Sequence, residues 1–261
     1  MTWTDRQRAA VIARLRRAGC VFAEDEAELL LAEAPDAAEL DRRVARRVAG
    51  EPLEQIVGWA EFGGRRYEVA EGVFVPRRRT ELLARAAAER CAPGSSMLDL
   101  CCGVGAVAGY VADRVPGVVA YGVEIDPVAA GCARRNLGKA ATILGGDLYQ
   151  PLPVWSRGSF GVIAANAPYV PTAEIVFMPA EARDHEATAA LDGGTDGLEL
   201  HRKIINGAAE WLAPGGSLLI EAGRAQADVD LELLRTAGFA ASMIIDDEID
   251  GTVVVGDLAA Q

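Results

Sequence analysis

Lysine is nearly missing from this 261-residue chain, occurring only at Lys139 and Lys203, and histidine occurs only at His185 and His201. The five cysteines (Cys20, Cys91, Cys101, Cys102, Cys132) form no C-x-x-C pair. So few imidazole and sulfur donors, at such spacings, argue against a zinc site, and the metal expectation is none. An odd cysteine count fits reduced thiols. No apolar run reaches the roughly 20 residues of a membrane helix, and no signal peptide is recognisable. The chain is therefore expected to be cytoplasmic, without membrane contact.

What is present is ordinary for a soluble globular protein: 51% hydrophobic and 25% charged residues, enough to bury a sizeable core. The net charge of -12 is unevenly placed. Residues 1–90 hold 16 basic and 16 acidic side chains, whereas residues 91–261 hold 10 basic and 22 acidic. Non-specific nucleic-acid binding requires cations against phosphates, so no direct nucleic-acid binding is expected of the larger portion. Solubility accounts for its acidity, and a basic protein partner is the alternative.

The texture of the chain changes along its length. Residues 4–19, 24–34 and 36–50 place apolar residues at helical spacing among charges, with Thr4 and Asp36 as caps and Gly19 and Gly50 as stops. They predict a helical lobe over residues 1–58. Residues 59–76 alternate around Gly63-Gly64 and predict a β-hairpin joining this lobe to residues 77–261. From residue 96, short apolar strands (96–101, 118–125, 141–147, 160–166, 217–223) alternate with helices near 104–115, 127–137, 197–213 and 225–237, and a terminal hairpin closes the chain. This is the α/β pattern of a mostly parallel sheet with helices on both faces. Ligands in such sheets bind beyond the carboxyl ends of the strands.

Three strand ends carry coherent chemistry. DLCCGVGAVAG follows the first, where Gly103 and Gly105 let backbone approach a ligand unobstructed. Glu124 ends the second, 21 residues after Gly103, a spacing at which a carboxylate can hold two ribose hydroxyls. Asp147 ends the third, an acceptor for an adenine amino group, with Leu148 beside it to pack on the ring. Each alone is an ordinary feature of α/β proteins; in register they predict an adenosine pocket. A nicotinamide dehydrogenase is the rival, since GVGAVA fits the dinucleotide fingerprint with Ala108 third.

The fourth strand decides between them. It ends in Asn166-Ala167-Pro168-Tyr169, and a hydride-transfer enzyme has no use for that turn. The bland alternative is a proline-stiffened loop whose Asn caps a neighbour. The chemical reading is a clamp: the Asn166 side-chain carbonyl and the Ala167 backbone carbonyl, fixed by Pro168, converge on a planar NH2 group while Tyr169 packs its flat face. Such nitrogens are poor nucleophiles because their lone pair is delocalised. Holding both hydrogens orients that lone pair, and an electrophile placed in line makes the reaction nearly unimolecular.

LDLCCGVGAVAG, GVEIDP, GDLYQPLP and NAPYVP, in that order, resemble a Rossmann-like class I S-adenosylmethionine-dependent methyltransferase with an Asn-Pro-Pro-Tyr signature. The stretches GEPLEQIVGWAEFGGRRYEVAEGVFVPRRRTE and HEATAALDGGTDGLELHRKII are similar to those of protein-(glutamine) methyltransferases that modify peptide release factors or a large-subunit ribosomal protein. The resemblance spans about residues 40–258. It implies a seven-stranded sheet with a terminal antiparallel hairpin and S-adenosyl-L-methionine as cofactor. It also implies a protein substrate with an exposed glutamine, held partly by the helical lobe, and methyl transfer to its amide nitrogen. Asn166, Ala167, Pro168 and Tyr169 would grip the amide. The backbone of Cys101, Cys102, Gly103, Val104 and Gly105, with Glu124, Asp147, Leu148 and Asn166, would line the cofactor site.

The chain departs from the family pattern at Ala167 for the first proline, Cys101 for a glycine, Arg78-Arg79 within a Pro-Arg-Pro-x-Thr-Glu motif, and Ala187 for a proline after Glu186. An adenine-amino methyltransferase, a small-molecule amide methyltransferase and a non-catalytic binding module are the competing functions. His185 reads as a surface histidine, the arginines at 42, 43, 46 and 47 as a solvated helix face, and Cys101-Cys102 as small side chains with oxidation sensitivity as the minor alternative.

Overall fold

Along each buried strand, neighbouring apolar residues point to opposite faces, and each face needs its own cover. The structure, a computed structural model, describes residues 2–260. In chain order its elements are α1 (Asp5–Arg17), α2 (Ala23–Glu33), α3 (Ala37–Val48), α4 (Leu53–Val57), β1 (Trp59–Phe62), β2 (Arg65–Glu68), α5 (Glu81–Arg90), β3 (Ser96–Leu100), α6 (Ala106–Arg114), β4 (Val119–Glu124) and α7 (Pro127–Leu137). There follow β5 (Ala141–Gly145), β6 (Phe160–Ala165), α8 (Ala180–His185), α9 (Glu199–Trp211), β7 (Leu212–Glu221), α10 (Ala227–Thr236), β8 (Ala240–Asp246) and β9 (Gly251–Asp257).

The seven-stranded sheet runs in the order β5-β4-β3-β6-β7-β9-β8. Strands β3 to β7 are parallel, and β9 pairs antiparallel with both β7 and β8, as the sequence predicts. Met97, Val162, Ala164, Leu219, Val253 and Val255 face a core covered by α5, α6, α7 and the hairpin. Leu98, Leu100, Ile163, Ile220 and Val254 face a second core covered by α9 and α10. The N-terminal helices have a separate core built on Leu15, Leu30, Leu31 and Val44. Thr4 accepts from Gln7 N in a capping box, and Asp36 accepts from Glu39 N, so both predicted caps form.

The β1–β2 hairpin turns at Gly63-Gly64, both at positive φ (58° and 84°), which matches the twist a two-residue turn needs. Three short helices, α4, α5 and α8, are invisible in the periodicity. In α5 the buried Leu82, Leu83, Ala84, Ala86 and Ala87 cover most of the surface, and only the narrow stripe of Glu81, Arg85 and Glu89 marks its outer face. The first and fourth strands stop one residue short of the predicted ends, because Cys101 turns to a left-handed φ of 54° and Asn166 leaves the ladder. No helix among the described residues is long and apolar enough to cross a membrane.

The hairpin is fastened to the larger core by a close approach. A Cβ on Gly109 would lie 2.5 Å from the Tyr67 hydroxyl and 2.8 Å from Leu137 Cδ2, and Tyr67 is fully buried and cannot swing aside. Gly109→Val gains a few tenths of a kcal/mol in helix propensity, while overpacking costs about 1–3 kcal/mol. The variant is expected to melt several degrees lower in scanning calorimetry, at about 2–4 °C per kcal/mol. An unchanged melting temperature would contradict the contact.

Candidate cofactor and acceptor site

The strand order reverses between β3 and β6, so the connections after them diverge and open a crevice at their carboxyl ends. A cavity of about 370 Å³ lies there. Its walls bring together nine of the predicted residues: Cys101, Gly103, Glu124, Asp147, Leu148, Asn166, Ala167, Pro168 and Tyr169. Cys102 and Val104 line a small adjoining pocket of about 40 Å³ beneath Asn166. Gly105 lines neither; it opens α6 at φ 82° with its backbone against Leu137.

Glu124 is the organising group on the cofactor side. One carboxylate oxygen accepts from Gly103 N at 2.8 Å and the other from Asp126 N at 2.9 Å. Burial pushes this carboxyl up, and the backbone N–H groups of Asp126 and Gly103 hold it back. The pair of bonds fixes the carboxylate toward the cavity with lone pairs remaining for a diol. Leu148, at φ 45°, offers an apolar surface, and Asp147 beside it accepts from Gln150 at 3.1 Å. A carboxylate for hydroxyls, an apolar plate, a second carboxylate for an amino group and a bare backbone turn fit the adenosine half of S-adenosylmethionine.

On the acceptor side, Asn166 Nδ2 donates to Thr80 Oγ1 at 3.2 Å. That leaves Oδ1 as the open pole. Among the described residues neither Asn166 Oδ1 nor the Ala167 carbonyl accepts a hydrogen bond, and both residues face the cavity. Tyr169 donates to Glu221 Oε1 at 3.5 Å, and its own carbonyl accepts from Gln226 Nε2 at 2.9 Å. Burial, with Glu221 next, pushes the Tyr169 phenol to about 12, so it stays a neutral donor. The arrangement can present two oxygens to a planar NH2 group.

Several contributing residues escaped the sequence reading. Thr80 belongs to the PRRRTE motif, which carried resemblance but no assigned chemistry. Arg79 donates to Glu221 at 3.2 Å and its guanidinium lies 5.8 Å from the Tyr169 ring centre. Arg77 donates at 2.6 Å to Glu186, a fully buried carboxylate that also accepts from Val75 N. Phe74, Met178, Ala187 and Lys203 complete the walls. None of the pairs is close in sequence, and only the fold joins them.

One reading needs correction. Arg47 is no part of a solvated face: its side chain is 11% exposed and bridges Glu26 at 2.6 Å and Glu181 at 3.0 Å. Arg42, Arg43 and Arg46 pair with Glu39 and Glu51. His185 does not line the cavity and lies against Gly50 of the helical lobe. Cys102 is buried at the loop, and Cys101 is half-buried on the cavity wall. Burial and the neighbouring Glu124 and Asp99 carboxylates push both thiols well up, which withholds the thiolate that oxidation needs.

Comparison with known proteins gives the family and the fold. Residues 70–197 match the methyltransferase small domain family. A methyltransferase of known structure from Pyrococcus furiosus shares the fold, with a TM-score of 0.58 at 16% identity over 84% of this chain and 99% of that one. Fold and crevice define a class I methyltransferase that uses S-adenosylmethionine. The chain is 39% identical to the release factor glutamine methyltransferase of Geobacter sulfurreducens (75% of this chain, 69% of the relative). It is 33% identical to that of Bradyrhizobium diazoefficiens (92% and 87%). It is also 38% identical to a 4-amino-L-phenylalanine/4-methylamino-L-phenylalanine methyltransferase of Streptomyces pristinaespiralis (75% and 69%). The chain belongs to the release factor glutamine methyltransferase family.

Glu124→Ala removes the diol acceptor and strands two backbone N–H groups. The dissociation constant for S-adenosylhomocysteine is expected to rise about 10- to 100-fold in calorimetry; an unchanged constant would contradict the ribose role. Cys101→Gly relieves a left-handed residue that costs about 1–3 kcal/mol, partly offset by the entropy of the freed unfolded chain. It is expected to unfold at higher denaturant concentration, and a lower midpoint would refute strain there.

Proposed function

We propose that this protein transfers a methyl group from S-adenosylmethionine to the side-chain amide nitrogen of a glutamine in a protein, specifically a peptide release factor. One observation carries the reading: Asn166 spends its amide nitrogen on Thr80 and keeps Oδ1 open beside the unused Ala167 carbonyl. Two open acceptors on consecutive residues of one turn suit the two hydrogens of a carboxamide. The named substrates of the Geobacter and Bradyrhizobium relatives support the choice of release factor.

Bound S-adenosylmethionine supplies an electrophilic methyl group on a sulfonium. The remaining tasks fall to the chain. Glu124, Asp147 and Leu148 hold the nucleoside, and the backbone of residues 101–105 lets it approach. Asn166 Oδ1 and the Ala167 carbonyl grip the acceptor NH2 and turn its lone pair toward the methyl carbon. Pro168 and Tyr169 flank the flat group and exclude water. The amide nitrogen would take the methyl carbon as the sulfonium sulfur released it, and the amide proton would pass to solvent after attack, so no strong base is required of the chain. Residues 1–58 serve as the lobe that seats the protein substrate, 59–76 as the joint and 77–261 as the catalytic unit. With the acidic excess in the larger portion, no nucleic acid takes part.

The Streptomyces relative supports a second reading in which the same clamp grips a planar aromatic amine of a small molecule. Incubating the enzyme with tritiated S-adenosylmethionine, a bacterial peptide release factor and, separately, 4-amino-L-phenylalanine distinguishes the two. Label on a glutamine, located by mass spectrometry, is the expected result; label on the amino acid alone selects the second reading. Asn166→Ala is expected to lower turnover about 100- to 1,000-fold with cofactor affinity largely kept. An active Asn166→Ala enzyme would remove the clamp.

A further inference from the structure

Behind the clamp lies a buried carboxylate that the reaction as described does not use. Glu221 ends β7, next to the catalytic β6, and its side chain is 2% exposed. Oε1 accepts from Arg79 and Tyr169, whereas the equally buried Oε2 has no hydrogen-bond partner among the described residues. Thr80, 3% exposed, directly follows Arg79, the donor to Glu221, and has the complementary need. Its oxygen accepts from Asn166 Nδ2, and its hydroxyl proton is spent on no other acceptor among the described residues. An unsatisfied buried acceptor and an unspent buried donor are each costly alone, and a bond between them would relieve both. Burial pushes the Glu221 carboxyl up, and Thr80, Arg79 and Tyr169 hold it back.

The polarity of this hydroxyl matters because a carboxamide is nearly symmetric in shape. A free threonine hydroxyl can accept from the amide nitrogen or donate to the amide oxygen, so it tolerates Asn166 in either orientation. Only one orientation aims Oδ1 at the acceptor; the other sets two NH2 groups against each other. We propose that Glu221 is a positioning residue: its Oε2 takes the Thr80 proton, leaves Thr80 able only to accept, and thereby locks Asn166 with its oxygen toward the substrate.

The inference rests on the clamp reading. Glu221→Gln keeps the volume but can offer Thr80 an NH2 group, which frees the Thr80 proton for Asn166 Oδ1. With tritiated S-adenosylmethionine and a bacterial peptide release factor, Glu221→Gln is expected to lower kcat roughly 10- to 100-fold. Affinity for S-adenosylhomocysteine should stay within about twofold. Thr80→Val should lose as much, Thr80→Ser should keep near wild-type turnover, and the Glu221→Gln/Thr80→Val double variant should be no worse than Thr80→Val alone. Wild-type kcat in Glu221→Gln, or additive losses in the double variant, would overturn the lock. If Glu221→Gln does not fold, the Thr80→Ser and Thr80→Val pair decides, equal turnover in the two counting against it. Crystals of the wild type and of Glu221→Gln at about 1 Å, where amide nitrogen and oxygen differ, provide a readout independent of substrate. A flipped Asn166 in the variant is expected, and an unflipped one overturns the proposal. The two failures stay distinct: an active Asn166→Ala enzyme removes the clamp, whereas an inactive Asn166→Ala beside a normal Glu221→Gln removes only the lock.

Discussion

A hydrogen bond of 3.2 Å between Asn166 Nδ2 and Thr80 Oγ1 sets which end of one amide the crevice sees. The chemistry of the acceptor side depends on it, because a carbonyl oxygen and an amide nitrogen differ little in size and completely in polarity. The fold supplies the conditions for that bond. Parallel pairing of β6 between β3 and β7 brings Asn166 to the switch point, and α5 carries Thr80 to its N-terminal edge. Neither residue is near the other in sequence, and each is placed by a different layer of the protein.

Charge is treated differently on the two sides of the crevice. The side proposed for the cofactor holds one carboxylate, Glu124, satisfied by two backbone N–H groups, which fix its direction without bringing in a cation. The acceptor side holds two buried glutamates, Glu186 and Glu221, each paired with an arginine reaching in from the crevice wall. Buried pairs of this kind contribute little net stability because desolvation offsets attraction. Their value lies in geometry: each ties the segment after the hairpin to a distant element, Arg77 to the loop after α8 and Arg79 to the end of β7.

The half of the crevice proposed to take the cofactor is the more legible in sequence. Gly103, Glu124, Asp147 and Leu148 each follow a strand that apolar patterning reveals, so a linear reading with one topological rule finds them. Asn166 to Tyr169 were legible for the same reason, with the chemistry of the amide added. Thr80, Arg79, Glu186 and Glu221 are not, because their meaning is pairwise and the partners lie far apart in sequence: 86 positions for Asn166–Thr80, 109 for Arg77–Glu186 and 142 for Arg79–Glu221. Helix α5 hides for a different reason: of its 10 residues only Arg85 and Glu89 are exposed, too narrow a stripe to mark a period. Arg47 was misread because a charged helix face looks solvated until a second element covers it.

The same arginine has a wider consequence. Arg47 spans α2 and α8, and Gln55 of α4 donates to the carbonyls of Val73 and His185 while accepting from Gly72 N. The N-terminal helices therefore brace the loop that supplies Ala187 and Ala190 to the crevice wall. An acceptor too small ever to touch those helices would still depend on them, since removing the brace would slacken the wall from behind.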